Sequence, residues 1–175
     1  MPALFALGQH AALEEVSGHL LPNERLFSFL DDIYVLCRPD RATAVYKLVE
    51  TALLKHTGIS CNLGKTRVWN RAGVVPAGVD SLGEDAWVGG LDRLPAERGL
   101  KVLGAPLGTP DFVRTHGQKR LAEERRLLDL LPQLPDLHCA WVLLLMCASP
   151  RFNYRTRTIS PFLSEEYQVR HDEAK

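Results

Sequence analysis

Two short apolar runs on either side of an acidic pair constrain the fold of this chain more than any other feature. The runs are Leu26 to Leu30 and Ile33 to Cys37, both rich in aromatic or β-branched residues, and Asp31 and Asp32 separate them. Each run is too short for a stable helix, and its composition is typical of a β-strand. The pattern predicts a β-hairpin with the two carboxylates at its turn.

Apolar residues at helical spacing surround this hairpin. Residues 2 to 20 carry one such pattern, and a second apolar stripe runs from residue 44 to residue 53. Residues 58 to 70 predict a turn that leads into another strand, whereas the glycine-rich stretch 71 to 100 predicts loops with at most short strands. The segment LKVLGAPLG, residues 100 to 108, predicts a tight hairpin or a bent strand.

The C-terminal part of the chain reads as helical. Two helices are predicted over residues 111 to 131 and 137 to 148, the first stopped by Pro132 and the second capped by Asp136. The apolar run CAWVLLLMCA within the second helix has about half of the ~20 residues that a membrane span needs, so it predicts a buried core helix. The expected fold is therefore α+β, with a helical segment after a mixed part.

Amino-acid composition excludes few classes of function. The chain has 175 residues, 46% of them apolar and 24% charged, which is typical of a folded globular domain. Its 21 basic and 21 acidic residues cancel, so net charge gives no argument for a nucleic-acid partner. The four cysteines form no C-x-x-C pair, and neither a secretory signal nor a membrane span is recognisable. We expect reduced thiols and an intracellular protein without a membrane partner.

The acidic pair favours a specific chemistry. Two carboxylates at one turn attract a divalent cation, and hard oxygen ligands suit Mg²⁺, which usually binds through one or two carboxylates together with substrate phosphates. That combination is typical of phosphoryl transfer, where two metal ions activate the attacking hydroxyl and stabilise the leaving oxygen. Asp31 and Asp32 are therefore candidate metal ligands.

Several segments in a fixed order resemble one family. SFLDDIYVLC (28 to 37) resembles the F/Y-x-D-D hairpin in the palm of reverse transcriptases, most like those of non-LTR retrotransposons. ALFAL (3 to 7) resembles the end of the motif B helix, and GISCNLGKTRVW (58 to 69) matches the G-L-x-x-N-x-x-K-T segment. KVLGAPLG (101 to 108) resembles the primer-grip strand, and the following helices occupy the position of the thumb.

The resemblance implies roles for individual residues. Asp31 would be the ligand common to both metal ions and Asp32 its less directly coordinated neighbour. Lys65 would lie near the terminal phosphates of the nucleotide and stabilise or protonate the leaving pyrophosphate, a role that suits a compact cation. Asn62 would shape the turn that presents Lys65.

Other residues would position the hairpin and the nucleic acid. Phe29 and Leu30 would hold the hairpin in place, and the backbone from Gly104 to Leu107 would lie along the primer. Independently of the resemblance, RFNYRTR (151 to 157) combines arginines and aromatics without an acid, which is typical of a surface that follows a nucleic-acid backbone. Its candidate contacts are Arg151, Arg155 and Arg157.

The resemblance covers only the C-terminal half of a polymerase domain. Residues 1 to 109 correspond to a partial palm with a short antiparallel sheet packed on two helices, 110 to 160 to the helical thumb-like segment, and 161 to 175 to a polar tail. No residue ahead of the hairpin can replace the motif A aspartate or the fingers. We therefore expect weak Mg²⁺ binding and no catalysis by this chain alone.

The parent enzyme would join deoxynucleoside triphosphates to a DNA primer on an RNA template. The missing strand would leave a sheet edge uncovered, which favours self-association or a protein partner. Two alternatives remain: a non-catalytic relic or domesticated module that binds nucleic acid or protein, and, more remotely, a phosphorylation receiver domain. A receiver requires a helix directly after the acidic pair, whereas residues 33 to 37 read as a strand.

Overall fold

The computed structural model describes residues 2 to 173, which form two compact units. The first unit ends at Arg93 and the second begins at Leu94. Both units mix helices with a two-stranded antiparallel sheet, so the α+β class expected from the sequence is confirmed.

The first unit contains the predicted hairpin, which follows one helix in the chain and precedes another. Its elements are α1 (Pro2–His19), β1 (Arg25–Phe29), β2 (Asp32–Leu36) and α2 (Ala42–Thr57). The two strands pair antiparallel from Arg25↔Leu36 to Phe29↔Asp32. The acidic pair is thus followed by a strand, as the sequence predicts, and not by the helix that a receiver domain requires.

One face of the hairpin packs on both helices. The core consists of Ala12, Val16, Val49, Ala52 and Leu53. Leu26, Ile33 and Val35 of the hairpin lie against it, because alternate residues of a strand point to the same side. The buried residues of α2 belong to the apolar stripe predicted from helical spacing, and α2 ends at a left-handed Gly58, as expected of a helix C-terminus.

The rest of the first unit is largely irregular. Short 3₁₀ turns span Leu63–Lys65 and Val79–Leu82, and the second turn contributes to a small core with Ala86. The strand predicted near Val68 is reduced to one parallel bridge with Trp87. After Val88, glycines follow at 89 and 90, and glycine contributes no side chain to stabilise a longer ladder.

The second unit contains another hairpin followed by helices. Its elements are β3 (Gly99–Val102), β4 (Ala105–Gly108), α3 (Pro110–Leu130), α4 (Leu137–Leu143), a π-helix (Leu144–Ala148), α5 (Ser149–Thr158) and α6 (Pro161–Asp172). Residues 100 to 108, predicted as a tight hairpin or a bent strand, form a hairpin, and Asp136 caps α4 as predicted. The π-helix precedes Pro150, which cannot donate to the carbonyl four residues earlier and so disfavours a regular α-helix there.

The hairpin β3–β4 belongs to the helical unit and not to the unit that precedes it. A Cβ at Gly99 would lie 2.4 Å from Phe112 Cδ1, and a Cβ at Gly108 would lie 2.8 Å from the same atom. The absence of side chains at these two glycines therefore allows the hairpin to approach α3 closely. The first compact unit ends at Arg93, whereas the family resemblance predicts a palm-like part that extends to residue 109.

The segment predicted as a polar tail, 161 to 175, contains α6. Tyr167 and His171 are buried on the inner face of this helix together with Ser164. Two of these three inward residues are polar, so hydrophobic periodicity does not reveal the helix.

The apolar helix near residue 140 differs most from expectation. The sequence predicts a buried core helix, but none of the residues Leu137–Leu143 is buried. Leu137 is 84% exposed and Trp141 57% exposed. The prediction was wrong because the helical segment 137 to 148 is apolar on all sides. Its packing within the unit uses only the side that carries Leu144 and Ala148. Within the described chain, no helix has both the length and the apolarity to cross a bilayer.

Candidate functional site

The tip of the first hairpin presents the acidic pair. Leu30 and Asp31 form a two-residue turn between the paired residues Phe29 and Asp32. Asp31 therefore lies in the turn, while Asp32 is the first residue of β2, one position earlier than the strand predicted from the sequence. Leu30 has φ of 55°, a left-handed conformation that costs a residue with a Cβ about 1 kcal/mol or more.

Both carboxylates are exposed at this tip. Asp32 Oδ2 accepts a hydrogen bond of 3.1 Å from the Tyr34 hydroxyl, two residues along the same strand. By alternation, Asp32 and Tyr34 share the face of the hairpin that points away from the helices, with Phe27 and Phe29 opposite them in the register. This acidic and aromatic surface is open, since Phe27 and Phe29 are both more than half exposed.

The segment that carries Lys65 lies in the same unit. Lys65 ends the 3₁₀ turn Leu63–Lys65, and its side chain is exposed. The Asn62 carbonyl accepts hydrogen bonds from the backbone N–H groups of Lys65 and Thr66, each 3.1 Å long. Asn62 therefore shapes the turn through its backbone.

The residues expected along the primer lie in the second unit. Gly104 occupies the turn of β3–β4 with φ of 84°, preceded by Leu103 with φ of 50°. The Tyr154 hydroxyl donates to the Leu103 carbonyl and so ties this turn to α5. Leu107 is 44% exposed on β4. The acidic hairpin, in contrast, belongs to the first unit.

The three candidate arginines of α5 differ in their surroundings. Arg151 and Arg157 are exposed, as a backbone-binding role requires. The Arg155 side chain is only 11% exposed, its Nε lies 3.4 Å from Glu124 Oε1, and its guanidinium lies 5.3 Å from the centre of the Tyr167 ring. Arg155 is thus part of the interior, and its position does not suit the nucleic-acid contact that the sequence suggests.

Sequence reasoning missed the buried polar network around Arg155. Tyr167 donates a 2.5 Å hydrogen bond to Glu124 Oε2, and burial raises the pKa of this tyrosine far above its usual range. Burial also lowers the pKa of Arg155, which the nearby Glu124 opposes. These three residues come from α3, α5 and α6 and lie up to 43 positions apart, so no local spacing signals their association.

A second missed ion pair secures the approach to the acidic hairpin. Glu24 is 3% exposed, and its carboxylate accepts hydrogen bonds from Arg41 Nε at 2.8 Å, Arg41 Nη2 at 3.0 Å and the Leu21 N–H at 2.9 Å. These contacts, led by Arg41, lower the pKa of Glu24. The pair ties the turn before β1 to Arg41, the residue directly before α2, which fixes the base of the hairpin.

The acidic tip offers the kind of ligand that Mg²⁺ prefers, but too few of these ligands to hold the ion. Carboxylate oxygens are suitable donors, and both are accessible. Over residues 2 to 173, however, no three His, Cys, Asp or Glu side chains converge on a point where a metal ion could be held. Comparison of the chain with protein-family models, curated proteins and solved structures finds no match.

The turn conformation itself can be tested by two substitutions at Leu30. Leu30→Ala keeps a Cβ in the left-handed region, whereas Leu30→Gly removes it. We expect the glycine variant to be more stable than the alanine variant by about 1 kcal/mol in urea denaturation. An alanine variant that equals or exceeds the glycine variant would show that Leu30 does not hold this conformation in solution.

Proposed function

We propose that this chain carries the C-terminal half of a reverse transcriptase palm and the start of its thumb, of the type found in non-LTR retrotransposons. The parent reaction would be RNA-templated DNA synthesis. The chain by itself does not catalyse this reaction under our proposal, because no third carboxylate joins the two of the acidic tip within residues 2 to 173.

The observation that carries the proposal is the hairpin with its acidic tip. Core contacts of Leu26, Ile33 and Val35 hold it on two helices, and a two-residue turn leaves Asp31 and Asp32 at its exposed end. A rigid support with accessible carboxylates suits the chemistry that the sequence resemblance implies, since metal ligands must be held in place before a nucleotide binds. Lys65 lies in the same unit, on an ordered turn.

The implied Mg²⁺ would supply charge stabilisation to the triphosphate when bound. Asp31 and Asp32 would contribute two oxygen ligands, and a further carboxylate would have to come from outside residues 2 to 173. Lys65 would bring its cation to the terminal phosphates. RNA template, DNA primer and deoxynucleoside triphosphate are the partners of the completed site, with Arg151 and Arg157 as exposed contacts to the nucleic acid.

Complementation in trans tests this proposal. The chain is mixed with a polypeptide that carries the fingers and motif A strand of a non-LTR reverse transcriptase, and primer extension on an RNA template is measured with Mg²⁺. We expect extension with the mixture and none with either part alone. Asp31→Ala should reduce it by at least about 100-fold, since loss even of residues that only support metal ligands costs 10- to 100-fold.

Asp40→Ala is the matched control, because Asp40 is an exposed aspartate of the same unit that pairs with Arg38 away from the tip. This variant should extend primers as the unmodified chain does. Absence of extension in the mixture, or equal loss in Asp31→Ala and Asp40→Ala, would contradict the catalytic ancestry.

The shortage of metal ligands also favours a second candidate, a module that binds nucleic acid without catalysis. In that case the chain would bind a labelled RNA–DNA duplex in fluorescence anisotropy but would not support extension. Replacing Arg151 and Arg157 with glutamate should then weaken binding and reduce its salt dependence.

A further inference from the structure

The exposed side of the helical segment 137 to 148 carries large apolar side chains close together. Leu137, Trp141 and Leu145 follow each other at intervals of four residues and so lie along one line of the helix. Val142 and Met146 form a neighbouring line. Each of the five is between 42% and 84% exposed. We call these five residues the apolar ridge.

A groove of about 310 Å³ runs beside the apolar ridge. The end of α3 supplies Leu128, and the 3₁₀ turn after it supplies Leu131. On the other side, the helical segment supplies Ala140 and Leu144 together with Leu137 and Trp141 of the apolar ridge. The same surface therefore contains an apolar projection beside an apolar depression. A surface with both features can be complementary to a copy of itself across a two-fold axis.

Charge favours one orientation of such a copy. No Asp, Glu, Lys or Arg occurs between Asp136 and Arg151, so the apolar ridge has an acid at its N-terminal end and a base at its C-terminal end. Both residues are exposed. In an antiparallel arrangement, each Asp136 would face the Arg151 of the other copy at both ends of the contact. The antiparallel arrangement also places opposite ends of the helix dipoles side by side.

The chemistry of the surface argues for an apolar partner of matching length. Exposed apolar patches of this extent mark interaction sites, because each square ångström left in water costs about 25 cal/mol. Trp and Met are enriched at protein interfaces, and a central tryptophan is a frequent hot spot. The middle of the apolar ridge has no charged group that could pair with a strongly charged peptide or with nucleic acid.

We infer that a second copy of this chain docks here, with the two helical segments antiparallel and the apolar ridge of each in the groove of the other. The interface lies wholly in the second unit and involves neither the acidic hairpin nor Lys65. It shares only Arg151 with the residues proposed to contact nucleic acid, so the tests at Trp141 and Met146 do not depend on the proposed polymerase ancestry.

Sedimentation velocity of the full chain over a range of concentrations tests this inference. We expect a reversible equilibrium between monomer and dimer with a dissociation constant of about 1–100 μM, the range of modest protein interfaces. Trp141→Glu and Met146→Glu should each weaken the dimer by at least about 30-fold, as expected for residues at the centre of an interface. Circular dichroism checks that these variants of exposed residues still fold.

Two control variants locate the interface. Phe162 is 78% exposed on α6 of the same unit, and Phe27 is 53% exposed on the hairpin of the other unit. Phe162→Glu and Phe27→Glu should both leave the dissociation constant unchanged. Arg151→Glu should weaken the dimer about 10-fold, because it places like charges opposite each other at both ends.

Four results would overturn the proposed dimer, and a fifth would overturn its antiparallel orientation. The first is a monomer at every concentration, and the second is open-ended growth beyond a dimer, which a two-fold contact cannot produce. The third is loss of the dimer in Phe27→Glu, which would assign the contact to the hairpin. The fourth is a monomeric chain that co-sediments with phosphatidylcholine and phosphatidylserine vesicles and loses this binding in Met146→Glu. An unchanged dimer in Arg151→Glu would overturn the antiparallel orientation.

Discussion

Glu124→Gln is expected to destabilise the second unit by about 3–5 kcal/mol, the largest stability effect that we predict for a single substitution. The change removes the negative charge that faces the Arg155 guanidinium, whose side chain is only 11% exposed. The cation would remain buried without a counter-charge, with Nη1 already enclosed and without a hydrogen-bond partner among the described residues. Urea denaturation measures the loss of folding free energy, and hydrogen exchange in α3, α5 and α6 shows where it occurs.

The neighbouring residue provides a matched control. Glu123 is exposed and pairs with Arg120 at 2.8 Å on the surface of the same helix. Glu123→Gln should change the free energy of unfolding by less than about 1 kcal/mol, since surface ion pairs contribute little. Similar losses in the two variants would contradict a special role for the buried pair.

Replacing the whole network should restore most of the stability. Glu124→Leu, Arg155→Met and Tyr167→Phe together remove the buried charges and the tyrosine hydroxyl that would otherwise lose its acceptor. Apolar replacement of a complete buried ion pair is often neutral or stabilising, whereas removal of one partner is not. A triple variant as unstable as Glu124→Gln would show that packing around these residues, and not charge, determines the cost.

Acidification from pH 7 to about pH 4 should remove about 3 kcal/mol of stability through His116. His116 is buried in α3, and neither ring nitrogen has a hydrogen-bond partner within residues 2 to 173. Burial, followed in size by the charges of Arg155, Lys101 and Arg120, lowers the pKa of His116 from 6.5 to about 4, and Glu123 opposes this shift. Because the unfolded chain binds the proton more readily, stability is full above pH 6.5 and falls as the pH decreases towards 4.

His116→Leu separates this effect from other acid-induced changes. The leucine variant should lose stability much less between pH 6.5 and 4.5, and its stability at pH 7 should be close to that of the unmodified chain, because no hydrogen bond is lost. Glu15, whose pKa Lys55 and His56 lower to about 2, loses its contribution only as the pH falls below 4.5. An unchanged pH profile in His116→Leu would show that His116 is accessible to protons in the folded state.

Local elements were predictable wherever a short stretch of sequence determines them. The hairpin around Asp31 and Asp32 follows from strand-like runs that are too short for helices, and the apolar stripe of α2 from helical spacing. Gly58 ends α2 as its flexible backbone allows, and Asp136 caps α4. Each of these depends on residues within a few positions of each other.

Burial was predicted less well, because it depends on how many sides of an element find a partner. The helix around Trp141 is apolar on all sides, which reads as a core helix, but the structure packs only one of them. In the opposite direction, α6 buries Ser164 and His171, which a hydrophobicity pattern assigns to the surface.

For the candidate site, too, the sequence indicated the residues but not their surroundings. Sequence order alone indicated the acidic tip, the Lys65 turn and the arginines of α5, and their proposed roles in polymerisation remain a prediction. The surroundings of Arg155 depended on side chains contributed by two other helices, so its pairing with Glu124 could not be read from its neighbours in the chain.

The sequence by itself determined the α+β class and the acidic hairpin between two helices, because turn geometry and periodicity act over a few residues. Only the tertiary structure decided which polar groups are buried together and which apolar surface stays exposed. The physical reason is that burial is shared among segments distant in the chain, such as Glu124 and Tyr167, and no local pattern records the partner.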